Sequence, residues 1–271
     1  MTNSIQLTIN TPDQRIREEL IGLLSLFNFD GFEEKDDQLL CFFSGGKIDE
    51  EELKRIINYK GLSYSKSVIF PQNWNAIWEN SFAPVVVNNF CCVRADFHQP
   101  AAKTQYEIVI TPKMSFGTGH HATTYLMIEQ MAKMDFKGKR VADFGTGTGI
   151  LAILAEKLGS SYVWAIDNDD WSIENAKENV QKNNCEEISI EKGDSFSCKQ
   201  EFDIILANIN KNVILNNLDG LVFGLHKGGR ILLSGLLEED EQEVLSLVKQ
   251  LNLIHITTVE RDKWISIMLG Y

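Results

Sequence analysis

Apolar and polar residues follow two different periods along this chain. From residue 139 onward, short apolar runs of strand length are separated by longer segments in which apolar residues recur at helical spacing. The pattern predicts strands at 141–143, 162–167, 187–191, 203–207, 230–234, and near 253–258 and 263–269, with helices at 150–158, 171–183, 212–223 and 238–250. Strands that alternate with helices in this way indicate an α/β fold with a doubly wound, mostly parallel sheet.

Shorter elements precede this region. They are predicted as strands at 85–87, 91–95 and 107–111, followed by a helix at 125–134. We assign residues 85–271 to one domain, which starts near Val85.

The first 70 residues have a pattern of their own. Strands are predicted at 4–10, 29–34, 38–44 and 62–70, and helices from Thr11 and at 49–59. This β-α-β-β-α-β order is ferredoxin-like, with Thr11 as the cap of the first helix and Pro12 in its first turn. We interpret residues 1–70 as a substrate-recognition domain, with a purely structural addition as the alternative. Residues 71–84, which carry Trp74 and Trp78, form the predicted linker.

A glycine-rich turn follows the strand at 141–143. Asp143 precedes Gly145, Gly147 and Gly149, and an apolar helix begins at once. A strand, a glycine loop and a helix let the backbone approach a ligand closely. The spacing GxGxG departs from the dinucleotide fingerprint GxGxxG, since position 150 is Ile. An acid two residues before the first glycine is the arrangement expected for S-adenosylmethionine.

Further polar residues end the neighbouring strands. Asp167 ends the second strand, where an acid can hold a ribose diol. Asp194 follows the third strand and is predicted to bind an adenine amino group, although turn chemistry explains it equally well. Asn208 ends the fourth strand, and we predict that its carboxamide oxygen orients a substrate amine; capping of the next helix is the alternative. No dedicated base is evident, so positioning is expected to dominate catalysis.

A second glycine motif lies upstream, in PKMSFGTGHHATT. Its Gly117-x-Gly119-x-x-Ala122 spacing matches the dinucleotide fingerprint, but no acid-bearing strand follows at the required distance. We therefore predict a loop that folds over the cofactor, contacts it through Phe116, Gly117 and Thr118, and is capped by Thr123 or Thr124.

Composition narrows the class of protein. The 271 residues are 44% hydrophobic, enough for one large domain or for a medium and a small one. No run approaches the roughly 20 apolar residues of a membrane span, and the N-terminus does not look like a signal peptide, so a cytoplasmic protein is expected. A net charge of −12 without a basic run argues against nucleic acid and suits a basic protein partner, though acidity also serves solubility. The five Cys and five His lack zinc-site or disulfide spacing, and no metal is expected.

Together these residues resemble the ribosomal protein L11 methyltransferases, the PrmA family. The resemblance is carried by MSFGTGHHATT, VADFGTGTGILAI, AIDNDDWSIENAKENVQKN, FDIILANI and GGRILLSGLL, and more loosely by RDKWISIML. The FGTGxHxTT loop is the specific feature, because most methyltransferases of this fold lack it.

The resemblance implies a seven-stranded class I methyltransferase sheet that binds S-adenosylmethionine. It implies transfer to lysine ε-amines and the N-terminal α-amine of a ribosomal protein of the large-subunit stalk base, often to the trimethyl state. A monomer without direct RNA or membrane binding is expected. The family's cofactor contacts fall on Thr124, Gly145, Asp167 and Asn208. Thr146 stands where Cys is common, and Asn210 stands where Leu is common.

Three other functions remain open at this point. A methyltransferase for RNA guanine or protein glutamine shares the fold but usually ends the fourth strand in Asn-Pro-Pro-aromatic, whereas Ile209 and Asn210 occur here. A ribosome-assembly factor that binds S-adenosylmethionine without using it would differ only in turnover. A nicotinamide dehydrogenase is disfavoured by the shifted third glycine.

Overall fold

The computed structural model describes residues 4–27, 29–44, 50–69, 83–101, 103–112, 119–198 and 200–271. Contacts between Cα atoms divide the chain into two compact units, Met1–Ser81 and Phe82–Tyr271. The predicted linker at 71–84 lies outside the described residues except for positions 83 and 84. Within the described part of the chain, no helix is both long and apolar enough to cross a membrane.

The first unit has the element order that its sequence predicts. Its elements are β1 Ser4–Asn10, α1 Gln14–Leu24, β2 Gly31–Lys35, β3 Gln38–Ser44, α2 Glu50–Tyr59 and β4 Tyr64–Ile69. The sheet order is β2–β3–β1–β4 with antiparallel pairs throughout, the arrangement of a ferredoxin-like domain. Its core is built from apolar side chains of both helices and of β1 and β3: Leu7, Ile9, Leu20, Leu24, Leu39, Cys41, Leu53 and Ile57.

The predicted cap of α1 was wrong by two residues. Asp13 is the N-cap, and its Oδ1 accepts a hydrogen bond of 2.9 Å from the Arg15 backbone N–H. Thr11 instead donates its backbone N–H to the Asp37 carbonyl oxygen at 2.8 Å, which ties it to the turn between β2 and β3. A carboxylate two residues closer to the helix therefore takes the capping role.

The second unit begins with a small sheet. Its strands are β5 Val85–Val87, β6 Cys91–Ala95 and β7 Tyr106–Ile110, with β6 between an antiparallel β5 and a parallel β7. Helix α3, Ala122–Met131, begins three residues earlier than predicted.

The main sheet of the second unit has seven strands. They are β8 Arg140–Phe144, β9 Tyr162–Asp167, β10 Ile188–Lys192, β11 Phe202–Asn208, β12 Leu225–Leu237, β13 Ile254–Arg261 and β14 Trp264–Gly270. Helices α4 Ile150–Lys157, α5 Asp170–Lys182, α6 Lys211–Phe223 and α7 Glu241–Gln250 connect them, α7 after a 3-10 turn at Glu238–Asp240. The spatial order is β10–β9–β8–β11–β12–β14–β13, and β14 runs in the direction opposite to the other six strands.

Both faces of this sheet are covered by helices. Along β11, Ile204 and Leu206 join a cluster that includes residues of α3 and α4, whereas Ile205 and Ala207 join a cluster that includes residues of α6 and α7. A strand buried on both faces reads as a continuous apolar run, as observed in the sequence. The strand order reverses between β8 and β11, and ligands of open α/β sheets bind at such a switch point.

Candidate functional site

A cavity of about 470 Å³ opens at the carboxyl ends of the central strands. Six residues predicted from the sequence line it: Thr124, Gly145, Gly147, Asp167, Asp194 and Asn208. They come from α3, from the ends of β9 and β11, and from the loops after β8 and β10. The topology brings them together because parallel strands end at one edge of the sheet.

The glycine loop between β8 and α4 forms one wall of the cavity. Gly145, Gly147 and Gly149 all have positive φ, at 77°, 54° and 82°. A Cβ on Gly145 would lie 2.1 Å from Ile209 Cγ2, and one on Gly149 would lie 3.4 Å from Ala176 Cβ. Conformation and space therefore both require glycine at the first position, and the backbone itself faces the ligand.

Asp143 lies beneath this loop and is 1% exposed. It is not among the residues that line the cavity. Its Oδ2 accepts a hydrogen bond of 2.7 Å from Thr146 Oγ1, while Oδ1 is buried and makes no hydrogen bond to a described residue. Burial raises the pKa of Asp143 to about 7, and the charge of Asp167 adds to the rise. The structure thus places Asp143 as a support of the loop, and Thr146 as its partner.

Asp167 joins the end of β9 to the glycine loop. Its Oδ2 accepts from the Gly147 backbone N–H at 2.8 Å, and its Oδ1 accepts from the Asp169 N–H at 3.1 Å. Because a carboxylate offers about four lone-pair positions, two of them remain for ligand hydroxyls. The fixed carboxylate is suited to a ribose diol.

Asp194 occupies an exposed position on the cavity rim, in the loop after β10. The adjacent Gly193 is bonded through its N–H to the Asp167 carbonyl oxygen at 2.9 Å. This hydrogen bond therefore fixes the loop that carries Asp194 to the end of β9 at Asp167. A contact of Asp194 with an adenine amino group stays a prediction.

Asn208 faces the cavity from the end of β11. Its Nδ2 donates to Thr124 Oγ1 at 3.3 Å. The alternative role, capping of α6, is wrong for Asn208, because Asn210 is the N-cap and its Oδ1 accepts from the Val213 N–H at 3.1 Å. The carboxamide oxygen of Asn208 is thus left for another donor.

The start of α3 corrects a second capping prediction. His121 is the N-cap, and its Nδ1 accepts from the Thr123 N–H, so Thr123 and Thr124 lie in the first turn rather than before it. Both threonines are buried, at 1% and 4% exposure. Imidazole nitrogen replaces the expected hydroxyl as acceptor. The predicted contacts Phe116, Gly117 and Thr118 lie outside the described residues.

Several cavity residues had not been predicted as functional. His121 and Trp264 both line it, with ring centroids 4.6 Å apart and planes at 70°. Gly235 also lines it, at φ 84°, and a Cβ there would lie 2.1 Å from the Ile209 carbonyl oxygen. A glycine inside a strand signals a close backbone approach, so Gly235 was detectable. Trp264, which follows the turn between β13 and β14, had no comparable local signal.

The fold and the site together define a class of protein. A seven-stranded sheet with this order and one antiparallel strand, a glycine loop after its first strand and an acid ending its second are the features of a class I methyltransferase. The cavity offers a backbone wall, a carboxylate for a diol and apolar surfaces, a combination suited to a nucleoside with a polar tail.

Comparison with known proteins identifies the family. The profile of the family described as ribosomal protein L11 methyltransferase (PrmA) matches residues 32–270. The ribosomal protein L11 methyltransferase of Phocaeicola vulgatus is 34% identical over 271 residues, covering 97% of this chain and 96% of that protein. The protein of the same name from Porphyromonas gingivalis is 38% identical over 266 residues, covering 93% and 91%. The crystal structure of the ribosomal protein L11 methylase from Lactobacillus delbrueckii subsp. bulgaricus superimposes with a TM-score of 0.65 at 28% identity, covering 69% of this chain and 97% of that one. The chain belongs to the ribosomal protein L11 methyltransferase family, and its cofactor is S-adenosylmethionine.

The residues present fit this cofactor. Gly145 places its backbone at the cavity wall in a conformation that a side chain would not allow, because a Cβ would overlap Ile209, and Asp167 presents a carboxylate bonded to the same loop. The polar atoms on this wall are backbone groups and carboxylates, and no Arg or Lys lines the cavity among the described residues. A ligand with a ribose diol and an ammonium group, but without a pyrophosphate, matches these groups.

Proposed function

We propose that the protein transfers methyl groups from S-adenosylmethionine to lysine ε-amines and the N-terminal α-amine of ribosomal protein L11. The observation that carries this proposal is the arrangement of Asn208 and Thr124. Asn208 directs Nδ2 to Thr124 Oγ1, so Oδ1 is available to a donor in the cavity. An amine N–H is such a donor, and a hydrogen bond to Oδ1 orients the nitrogen lone pair.

When bound, the cofactor would supply a methyl group on a sulfonium sulfur: the amine lone pair would attack the methyl carbon, and the sulfur would leave with the carbon–sulfur bond pair as a neutral thioether. Gly145, Gly147 and Asp167 hold the nucleoside portion, and Asn208 holds the amine. Phe144, Ile209 and Trp264 give this part of the cavity apolar walls. Because an amine must be neutral to react and lysine has a pKa of about 10.4 in water, removal of water by these walls favours the reactive form.

The charge of the chain supports a basic protein substrate. The net charge of −12 attracts a cationic partner and repels an RNA backbone. The end of β11 also lacks the proline pair that clamps a planar base or amide, and Asn210 instead caps α6. We assign recognition of the partner to the Met1–Ser81 unit, and we expect a monomeric enzyme.

A transfer assay tests the proposal. The purified protein is incubated with labelled S-adenosylmethionine and ribosomal proteins from a strain that lacks this activity, and the products are resolved by intact mass. We expect L11 alone to gain multiples of about 14 Da, the mass of one methylene per transferred methyl, and fragment masses to locate them on lysines and the N-terminus.

Two outcomes would contradict the proposal. Label in RNA would favour the guanine methyltransferase, and cofactor binding with no label in any product would favour a non-catalytic assembly factor. In the same assay Asn217→Ala is the matched control for Asn208→Ala, because it removes a half-buried carboxamide from α6 that does not line the cavity.

A further inference from the structure

Three asparagines of α5 or its C-cap are buried, which is costly unless their amides are bonded. Asn175 and Asn179 are 0% exposed and Asn183 is 8% exposed. They occur one helical turn apart and therefore share one face of the helix. This face meets two parts of the molecule, the strand β7 and the glycine loop.

The first of these contacts completes an edge strand. β7 lies at the edge of its three-stranded sheet, and the side of it that faces α5 has no strand partner in that sheet. Asn183 pairs with one residue there, since its Oδ1 accepts from the Val109 N–H at 3.0 Å and its Nδ2 donates to the Val109 carbonyl oxygen at 2.7 Å. Asn179 Oδ1 accepts from the Thr111 N–H at 2.8 Å. The two carboxamides thus take the place of a neighbouring strand.

The second contact is made by Asn179. Its Nδ2 donates to the Thr148 carbonyl oxygen at 2.8 Å, and this bond is buried. Thr148 lies between Gly147 and Gly149 and lines the cavity. The single carboxamide of Asn179 therefore joins the glycine loop to the end of β7.

The anchor at Thr111 is reinforced by other side chains. Thr111 Oγ1 donates to Glu178 Oε1 at 2.6 Å, and Lys182 Nζ donates to the same hydroxyl. Lys182 also pairs with Asp96 Oδ2 at 2.5 Å. Asn179 is thus bonded to a segment that is itself held by hydrogen bonds and an ion pair, whereas the loop that it contacts contains three glycines.

We propose that Asn179 is a positioning residue for the cofactor. Glycines lose more conformational freedom on ordering than other residues. A loop held in its binding conformation before the ligand arrives spares that loss and raises affinity. Asn179 provides this hold through the Thr148 carbonyl, so it acts on cofactor affinity without touching the reacting atoms. The inference rests on the proposed function in one respect only, which is that S-adenosylmethionine binds in this cavity.

The substitution Asn179→Asp separates the two bonds. A carboxylate keeps the acceptor for the Thr111 N–H but replaces the donor to the Thr148 carbonyl with a second acceptor. We expect the Kd of S-adenosylmethionine, measured by titration calorimetry, to rise about tenfold. The KM for the cofactor is expected to rise equally, with kcat changed less than about twofold, because transfer starts from the bound state.

Asn183→Asp is the matched control. It makes the same atom exchange one turn further along α5, and it loses a buried donor to the Val109 carbonyl oxygen instead. We expect it to lower the melting temperature as much as Asn179→Asp does while changing the cofactor Kd less than about twofold. Equal rises in Kd for both variants, or no rise for Asn179→Asp, would overturn the proposal.

A measurement on the unaltered protein covers the case in which a variant fails to fold. By reciprocity, a ligand that needs the Asn179 bonds must also stabilise them. Saturating S-adenosylhomocysteine is expected to slow amide hydrogen exchange at Thr111 about tenfold, with less than about twofold change at Val109. Equal slowing at both amides would refute the coupling. Because the calorimetric titrations and the hydrogen-exchange measurement need only the cofactor or its product, failure of transfer to L11 would leave these two tests unaffected.

Discussion

The cavity has two sides that are built by different means. The loop side consists of Gly145–Gly149 and Asp167, where the wall is backbone and its partner is a carboxylate in direct contact with it. The amide side consists of His121, Thr124, Asn208 and Trp264, where side chains from α3, β11 and β14 converge. The loop side comes largely from one β-α-β segment, whereas the amide side needs elements far apart in the chain. Under the proposed function, the loop side binds the cofactor and the amide side selects the amine.

The largest expected effect is at the junction of the two sides. Gly235→Ala would place a Cβ 2.1 Å from the Ile209 carbonyl oxygen, at φ 84°. Backbone cannot move aside as a side chain can, so we expect a loss of about 4 kcal/mol in the free energy of unfolding. Urea denaturation of the wild type and of Gly235→Ala measures this loss.

Gly228→Ala is its control, with the same φ of 84° and no atom within 4 Å of the added Cβ. Its expected cost is about 1–2 kcal/mol, from conformation alone. A difference between the two variants below about 1 kcal/mol would show that the close approach of β12 to Ile209 is not tight.

The next effect tests the loop side. Asp167→Ala removes the acceptor of the Gly147 N–H and the predicted ribose ligand. We expect the cofactor Kd to rise about a hundredfold, or about 2.7 kcal/mol, as for loss of hydrogen bonds to a charged group. Asp203→Ala serves as control, since Asp203 Oδ2 accepts the Arg140 N–H at 2.9 Å without lining the cavity. Similar losses of affinity in both variants would refute the assignment.

On the amide side we expect a smaller effect, and we expect it on turnover rather than on cofactor affinity. Asn208→Ala should lower kcat about fiftyfold, or about 2.3 kcal/mol, because the amine loses its orienting acceptor. The cofactor Kd should stay within about tenfold. Steady-state kinetics with calorimetry separate the two quantities, and equal losses in both would remove the distinction between the sides.

The smallest effect concerns Asp143 and pH. Burial raises its pKa to about 7, above the unfolded value near 3.8. The folded state therefore binds more protons between these values, so stability from this group is full below the lower one and is lost as pH rises to about 7. Asp143→Asn removes the titration. We expect the wild type to lose about 1.4 kcal/mol relative to this variant between about pH 6 and pH 8, measured by denaturation at each pH. A constant difference would show that Asp143 keeps an ordinary pKa.

The loop side shows how far local patterns reach. The spacing of Gly145, Gly147 and Gly149 and the acid at Asp167 predicted a strand, a turn and a ligand wall, since positive φ and strand-end position are local properties. Asp143 was identified from the same pattern, but its position beneath the loop depends on packing around Thr146.

Helix starts were less predictable than strands. Thr11, Thr123 and Thr124 are acceptable caps by type, but Asp13 and His121 took the role. Several residues near a helix start can accept the same N–H, and the one that does so is decided by how the preceding chain is bonded. The N–H of Thr11, for example, is already bonded to the Asp37 carbonyl oxygen.

The sequence by itself determined the class of fold, the order of its elements, the family and the glycine-loop side of the site. These depend on periodicity, spacing and turn residues, which act over a few positions. Only the tertiary structure decided that Trp264 stands against His121, that Gly235 and Gly145 enclose Ile209, and that Asn179 joins β7 to the glycine loop. The physical reason is that such contacts join residues distant in the chain, and their geometry follows from the register of the strands and the packing of the helices, which no local pattern specifies.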